Sequence, residues 1–127
     1  MAEVLIVDDS KVMRDMVTSC LRPNSALTVT HASSGLEAIE RLSLTRFDAV
    51  VLDLNMPDIG GIEVLEFVRS QDKLRALPII IVTTRGDEAS RAKALGAGAT
   101  SYMTKPFTPE AILNEVSALV ASQAAGA

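Results

Sequence analysis

The sequence predicts an α/β domain, a parallel sheet with helices packed on both of its faces. Three observations carry that expectation. The strings Val4-Leu5-Ile6-Val7, Ala49-Val50-Val51-Leu52 and Ile79-Ile80-Ile81-Val82 are apolar at every position, and a strand needs apolar side chains of both parities only when both of its faces are covered. Around them lie segments whose apolar residues recur every three or four positions, the period of a helix resting on a sheet. The two kinds of segment alternate strictly, five strands with five helices, and a crossover helix after each strand makes the strands parallel.

The first strand ends in Asp8-Asp9, and Ser10 is placed to cap a helix over about 11–21 with Met13, Met16, Val17 and Cys20 on one face. Pro23-Asn24-Ser25 breaks the chain before Leu27-Thr28-Val29-Thr30-His31, whose alternation marks a half-covered edge strand with His31 packed near its end. Ser34 and Glu37 have capping-box spacing and open a helix carrying Leu36, Ile39 and Leu42. The third strand runs into Asp53 and is stopped by Met56-Pro57, and Gly60-Gly61 leads into a helix ending near Ser70. The fourth strand ends in Thr83-Thr84. The next helix, capped by Asp87 and running to about Leu95, has little but alanine on its apolar face and is expected to be loosely held. Thr100 to Thr104 reads as an edge strand ending at Lys105-Pro106, and Thr108-Pro109-Glu110 is a helix start, with Ile112, Val116, Leu119 and Val120 on the buried face. The three fully apolar strands are expected at the centre and the two mixed ones at the edges.

One domain is expected over residues 1–121, followed by a frayed tail at 122–127. With 48% hydrophobic and only 3% aromatic residues, the core must be aliphatic. A net charge of −4 argues against a nucleic-acid face. No apolar run approaches membrane-spanning length, and the N-terminus opens on a strand pattern instead of a signal segment, so no membrane partner and a cytoplasmic location are expected. The single Cys20 suits a reducing compartment, and its helical spacing makes it a packed thiol, not a nucleophile.

Ligands of open α/β sheets bind beyond the carboxyl ends of the strands. In this chain those ends carry Asp8, Asp9, Asp53, Thr83 and Lys105. Three close carboxylates repel one another, and a hard divalent cation that keeps several waters, such as Mg²⁺, relieves the repulsion. Such an ion would neutralise an incoming phosphoryl group while Asp53 attacks phosphorus in line. Lys105 offers a mobile positive charge and Thr83 a hydroxyl donor. Each residue has a plainer alternative: Asp8 or Asp9 as helix cap, Asp53 as strand cap, Thr83 as strand former, Lys105 as solvated edge charge. Their joint appearance at successive strand ends favours the site.

Val7-Asp8-Asp9-Ser10, Leu52-Asp53-Leu54-Asn55-Met56-Pro57, Val82-Thr83-Thr84 and Lys105-Pro106-Phe107 together resemble the receiver domain of bacterial response regulators, and the chain is most similar to the single-domain chemotaxis type. The resemblance spans essentially the whole chain. It implies a doubly wound, flavodoxin-like three-layer fold with strand order 2-1-3-4-5. It implies that Asp53 takes a phosphoryl group from the phosphohistidine of a sensor histidine kinase, that Asp8, Asp9, Asp53 and the Asn55 backbone carbonyl hold Mg²⁺, and that Thr83 and Lys105 contact the phosphoryl group. Tyr102 becomes the switch aromatic, Lys105-Pro106 a cis bond, and Asn55, Thr84 and Arg85 the positions that modulate dephosphorylation. No output domain is expected after the fifth helix, so a monomer is expected to act on another protein, a flagellar motor switch protein or kinase complex, or to pass the phosphoryl group to a histidine phosphotransfer protein.

Other classes compete less well. An aspartyl phosphohydrolase like the haloacid dehalogenases has an acid two residues after its nucleophile, where this chain has Asn55. A degenerate receiver that only binds partners would not need the full set of Asp8, Asp9, Asp53, Thr83 and Lys105. Nucleotide binding lacks a Gly-rich loop after the first strand.

Overall fold

The computed structural model describes residues 1–125. It contains, in order, β1 (Ala2–Val7), α1 (Lys11–Leu21), β2 (Leu27–Ala32), α2 (Gly35–Leu44), β3 (Ala49–Leu52), α3 (Gly61–Ser70), β4 (Ile79–Thr83), α4 (Glu88–Gly96), β5 (Ser101–Thr104) and α5 (Pro109–Ala125). All strand pairs are parallel and the order is β2-β1-β3-β4-β5. The fully apolar strands are central and the mixed strands are edges, as the patterning predicts.

Strand parity divides the core into two layers. Leu5, Val7, Val50, Leu52, Ile79 and Ile81 point to one face and meet Ala38, Leu42, Val64, Leu65 and Val68 of α2 and α3. Val4, Ile6, Val51, Ile80 and Val82 point to the other, against Val17 and Leu21 of α1 and Ile112 and Val116 of α5. With branched side chains interdigitating on both faces, the central strands form a stiff base, and their carboxyl ends are fixed relative to one another.

The caps sit where the sequence places them. Ser10 Oγ accepts from Met13 N, Ser34 Oγ from Glu37 N, and the Asp87 carboxylate from Ser90 N. Two helix faces differ from expectation. Leu36 is 60% exposed, and α2 buries Gly35, Ala38 and Leu42 instead. The helix start lies so close to the following loop that a Cβ on Gly35 would stand 2.3 Å from the Ile59 carbonyl oxygen, so small residues face inward and Leu36 is turned out. On α1 the buried line is Val17 and Leu21, while Met16 is 42% exposed. His31 packs as expected: its Nε2 lies 2.7 Å from Thr18 Oγ1 of α1, and burial, then the Arg14 charge, lowers its pKa. Cys20 is half-buried, and burial pushes its thiol up, away from nucleophilic character.

Helix α4 buries only Ala94. Its two ends are held differently. At the carboxyl end, Gly98 takes a φ of 112° and leaves room for Arg69, whose Nε donates to the Gly98 carbonyl at 2.9 Å and whose Nη1 donates to the Leu77 carbonyl at 2.7 Å. At the amino end, Thr84 to Ala89 are all exposed. Movement of α4 is therefore easiest at the end nearest Thr83.

Part of the segment expected as a tail is helical. Ser122 to Ala125 continue α5, because Ala121-Ser122-Gln123-Ala124-Ala125 contains no helix breaker, and residues 126–127 lie outside the described residues. No helix among the described residues is long and apolar enough to cross a membrane.

Candidate functional site

The β1–β3 ladder ends at Val7 and Leu52, so Asp8 and Asp53 are the first residues beyond it on adjacent strands. The Asp53 N–H donates to the Val7 carbonyl at 3.0 Å, which locks the two ends side by side. Thr83 closes β4, and the Lys105 N–H donates to its carbonyl at 2.7 Å, bringing the end of β5 to the same rim.

Asp8, Asp9 and Asp53 each offer a carboxylate oxygen, and these oxygens all lie within 4.8 Å of one another. Lys105 Nζ lies 3.0 Å from Asp8 Oδ2 and 3.8 Å from Asp53 Oδ2. The two buried carboxylates are treated unequally. Asp8 is bonded at every polar atom: its N–H donates to the Ala32 carbonyl, its carbonyl accepts from Arg14 Nη1, its Oδ1 accepts from Ser10 N and its Oδ2 from Lys105. Asp53 Oδ1 is buried with no hydrogen-bond partner. Burial raises the Asp53 pKa, the Lys105 ammonium opposes that, and the Asp8 carboxylate adds to it. Asp9 completes the cluster from the solvent side.

These residues fit a hard divalent cation. The donors are all carboxylate oxygens, one is buried and unsatisfied, and the three carboxylates face a single lysine positioned mainly on Asp8.

The remaining candidates are not gathered into this cluster. Thr83 is fully buried, and its hydroxyl accepts from the Arg85 N–H at 3.3 Å. Tyr102, half-buried on β5, donates its hydroxyl to the Arg85 carbonyl. The Arg85 backbone is thus gripped on one side by Thr83 and on the other by Tyr102, a connection that no sequence pattern announces. Asn55, Thr84 and Arg85 are exposed. The Lys105-Pro106 bond is cis. Two further residues shape the rim from positions that sequence reasoning passed over. Asp58, in the loop after Asp53, caps a helix from outside it, accepting from Gly35 N at 3.2 Å and Leu36 N at 3.0 Å. Arg14 reaches back from α1 to the Asp8 carbonyl.

The profile of the response regulator receiver domain matches residues 4–117. The chain belongs to that family. This receiver is 37% identical over 111 residues to chemotaxis protein CheY1 of Helicobacter pylori, covering 87% of this chain and 90% of that one. It is 33% identical over 114 residues to chemotaxis protein CheY of Pseudomonas aeruginosa, covering 90% and 92%. Among solved structures, the receiver is similar to the chemotaxis response regulator CheY4 of Vibrio cholerae, with a TM-score of 0.86 and 35% identity over 94% of this chain and 98% of that chain. The flavodoxin-like order and the two-component, chemotaxis-type kinship expected from the motifs therefore hold.

Proposed function

We propose that this receiver is a phosphorylation-activated switch of a two-component system in which Asp53 is the phosphoacceptor. The observation that carries the reading is the Asp53 carboxylate itself, buried, with one oxygen left unpartnered beside Lys105 and two further carboxylates. Asp8 is committed at every polar atom, whereas Lys105 comes no nearer than 3.8 Å to Asp53, so Asp53 is the carboxylate free to attack. In the transfer an Asp53 oxygen forms a bond to phosphorus as the phosphorus–nitrogen bond of a kinase phosphohistidine breaks, and the imidazole leaves with the electron pair. Asp8, Asp9, Asp53 and the Asn55 carbonyl would hold Mg²⁺, which would supply charge neutralisation to the phosphoryl oxygens. Lys105 turns from Asp8 toward the new phosphoryl charge. Thr83 donates its hydroxyl to a phosphoryl oxygen, and in rotating it gives up the Arg85 N–H.

That exchange is the proposed switch. Released at its N–H, Arg85 moves with the weakly anchored start of α4, and Tyr102, bonded to the Arg85 carbonyl, follows. The altered surface of α4, β5 and α5 then binds a partner protein. A flagellar motor switch protein or kinase complex is the favoured partner class because the relatives carry chemotaxis names. The chain is read as a cytoplasmic monomer whose only chemistry is on its own acyl phosphate, at a rate tuned by Asn55, Thr84 and Arg85.

The cation reading is tested by thermal stability. A ligand that binds the native state alone adds about 2.7 kcal/mol at roughly 100 times its Kd. Titration with Mg²⁺ is expected to raise the melting temperature progressively, and Asp9→Ala to lose most of that rise while keeping a folded apo state. An equal Mg²⁺-dependent rise in Asp9→Ala contradicts the carboxylate cluster as the binding site.

A further inference from the structure

We propose that Arg14 is a positioning residue for the cation site, holding the turn after β1 so that Asp8 and Asp9 present their carboxylates to Asp53. This rests on the reading of those carboxylates as the Mg²⁺ site. The Asp8 N–H still bonds to Ala32 of β2, but strand pairing of β1 ends at Val7, so no strand is paired with Asp8 through its carbonyl. Arg14 Nη1 fills that position at 2.7 Å, from one turn into α1. The helix is in turn tied to β2 at the same level: the Arg14 carbonyl accepts from Thr18 Oγ1 at 2.8 Å, and Thr18 Oγ1 meets His31 Nε2. The guanidinium is therefore carried on a braced helix and clamps the Asp8 peptide at its carbonyl.

The clamp matters most for Asp9. Asp8 already has Ser10 N and Lys105 on its carboxylate oxygens and so depends less on the clamp. Asp9 is exposed, and its carboxylate reaches the cluster only because the backbone between Val7 and Ser10 holds it there. A carbonyl clamp one residue earlier fixes that backbone. Arg14 Nε is buried without a partner, so the side chain keeps its place at the Asp8 carbonyl with one of its donors unsatisfied. Groups that orient ligands without touching the metal commonly change its affinity by about 10–100-fold when removed.

A guanidinium near the site has an opposite electrostatic consequence, and this separates the alternatives. If Arg14 acted only through its charge, removing it would strengthen Mg²⁺ binding, since a cation repels a cation. If it served only general stability, the folded protein would bind Mg²⁺ unchanged. Positioning alone weakens binding. The experiment is calorimetric titration of the full chain with Mg²⁺, at a temperature well below melting, for wild type, Arg14→Met, Arg14→Lys and Asp9→Ala. The expected result is a Kd raised about tenfold in Arg14→Met, with part of the affinity restored in Arg14→Lys, which keeps a donor. A Kd equal to or tighter than wild type in Arg14→Met overturns the proposal. Should Arg14→Met not fold, Arg14→Lys decides alone: its shorter single donor is expected to leave Kd a few-fold above wild type, and an unchanged value overturns the proposal. Wild type that fails to bind Mg²⁺, or binds as Asp9→Ala does, is a failure of the underlying site and is distinguished by those two arms.

Discussion

Asp53→Asn is expected to accept no phosphoryl group and, without Mg²⁺, to be more stable than the wild type at neutral pH. The two effects have one origin. Asp53 is 6% exposed, and burial, with the Asp8 carboxylate adding to it, raises its pKa above the ordinary value. A carboxyl whose folded pKa is raised penalises the folded state once it ionises. The penalty is absent below the unfolded-state pKa of about 3.9, grows as pH rises to the folded value, and stays complete above it. Asparagine has the same shape and no charge, and Lys105 keeps its 3.0 Å bond to Asp8, so the substitution removes repulsion without stranding a cation. Urea denaturation of both proteins in EDTA from about pH 3.5 to 7 checks it. The stability gap should open with rising pH, and Mg²⁺ should narrow it by stabilising the wild type. A wild type more stable than Asp53→Asn at neutral pH without metal contradicts the strained site.

Thr83→Ala is expected to be phosphorylated on Asp53 yet fail to transmit the event. In the described state the Thr83 hydroxyl and Tyr102 hydroxyl grip the N–H and carbonyl of Arg85. A shift from about 1:99 to 99:1 between two arrangements needs about 5.5 kcal/mol of differential binding. Hydrogen bonds to a charged group contribute about 1.5–3 kcal/mol each, so Thr83 and Lys105 together approach that figure. Removing Thr83 lowers the switched-to-unswitched ratio roughly ten- to a hundredfold. Amide NMR with Mg²⁺ and a beryllofluoride phosphoryl mimic should show wild-type shifts reaching α4, Tyr102 and the start of α5. In Thr83→Ala they should stay near Asp53. Shifts that spread equally far in both proteins sink this coupling route.

Much of this was legible in the sequence because the signals were redundant. The strings Val4-Leu5-Ile6-Val7 and Ile79-Ile80-Ile81-Val82 could only be two-sided strands, and once their order in the chain was clear, Asp8, Asp53, Thr83 and Lys105 had to share a rim. The weak anchoring of α4 followed from its alanines. What escaped was contact between a side chain and a distant backbone. Asp58 capping α2 and Arg14 clamping Asp8 leave no periodicity, since one partner is a peptide group that every residue possesses. Leu36 was misplaced because helical spacing reports a stripe without its rotation, and the close approach of Ile59 to Gly35 set that rotation. The grip on Arg85 was hidden for the same reason as the clamp on Asp8.

The central claim is that this receiver makes an acyl phosphate on a carboxylate with the help of Mg²⁺. Intact mass of the wild-type chain after incubation with acetyl phosphate, with Mg²⁺ or with EDTA, and again after neutral hydroxylamine, tests it most directly. The account predicts a single added phosphoryl group that appears only with Mg²⁺ and is removed by hydroxylamine, as an acyl phosphate must be. A group that forms equally well in EDTA, or that survives hydroxylamine as a serine or threonine ester would, contradicts it.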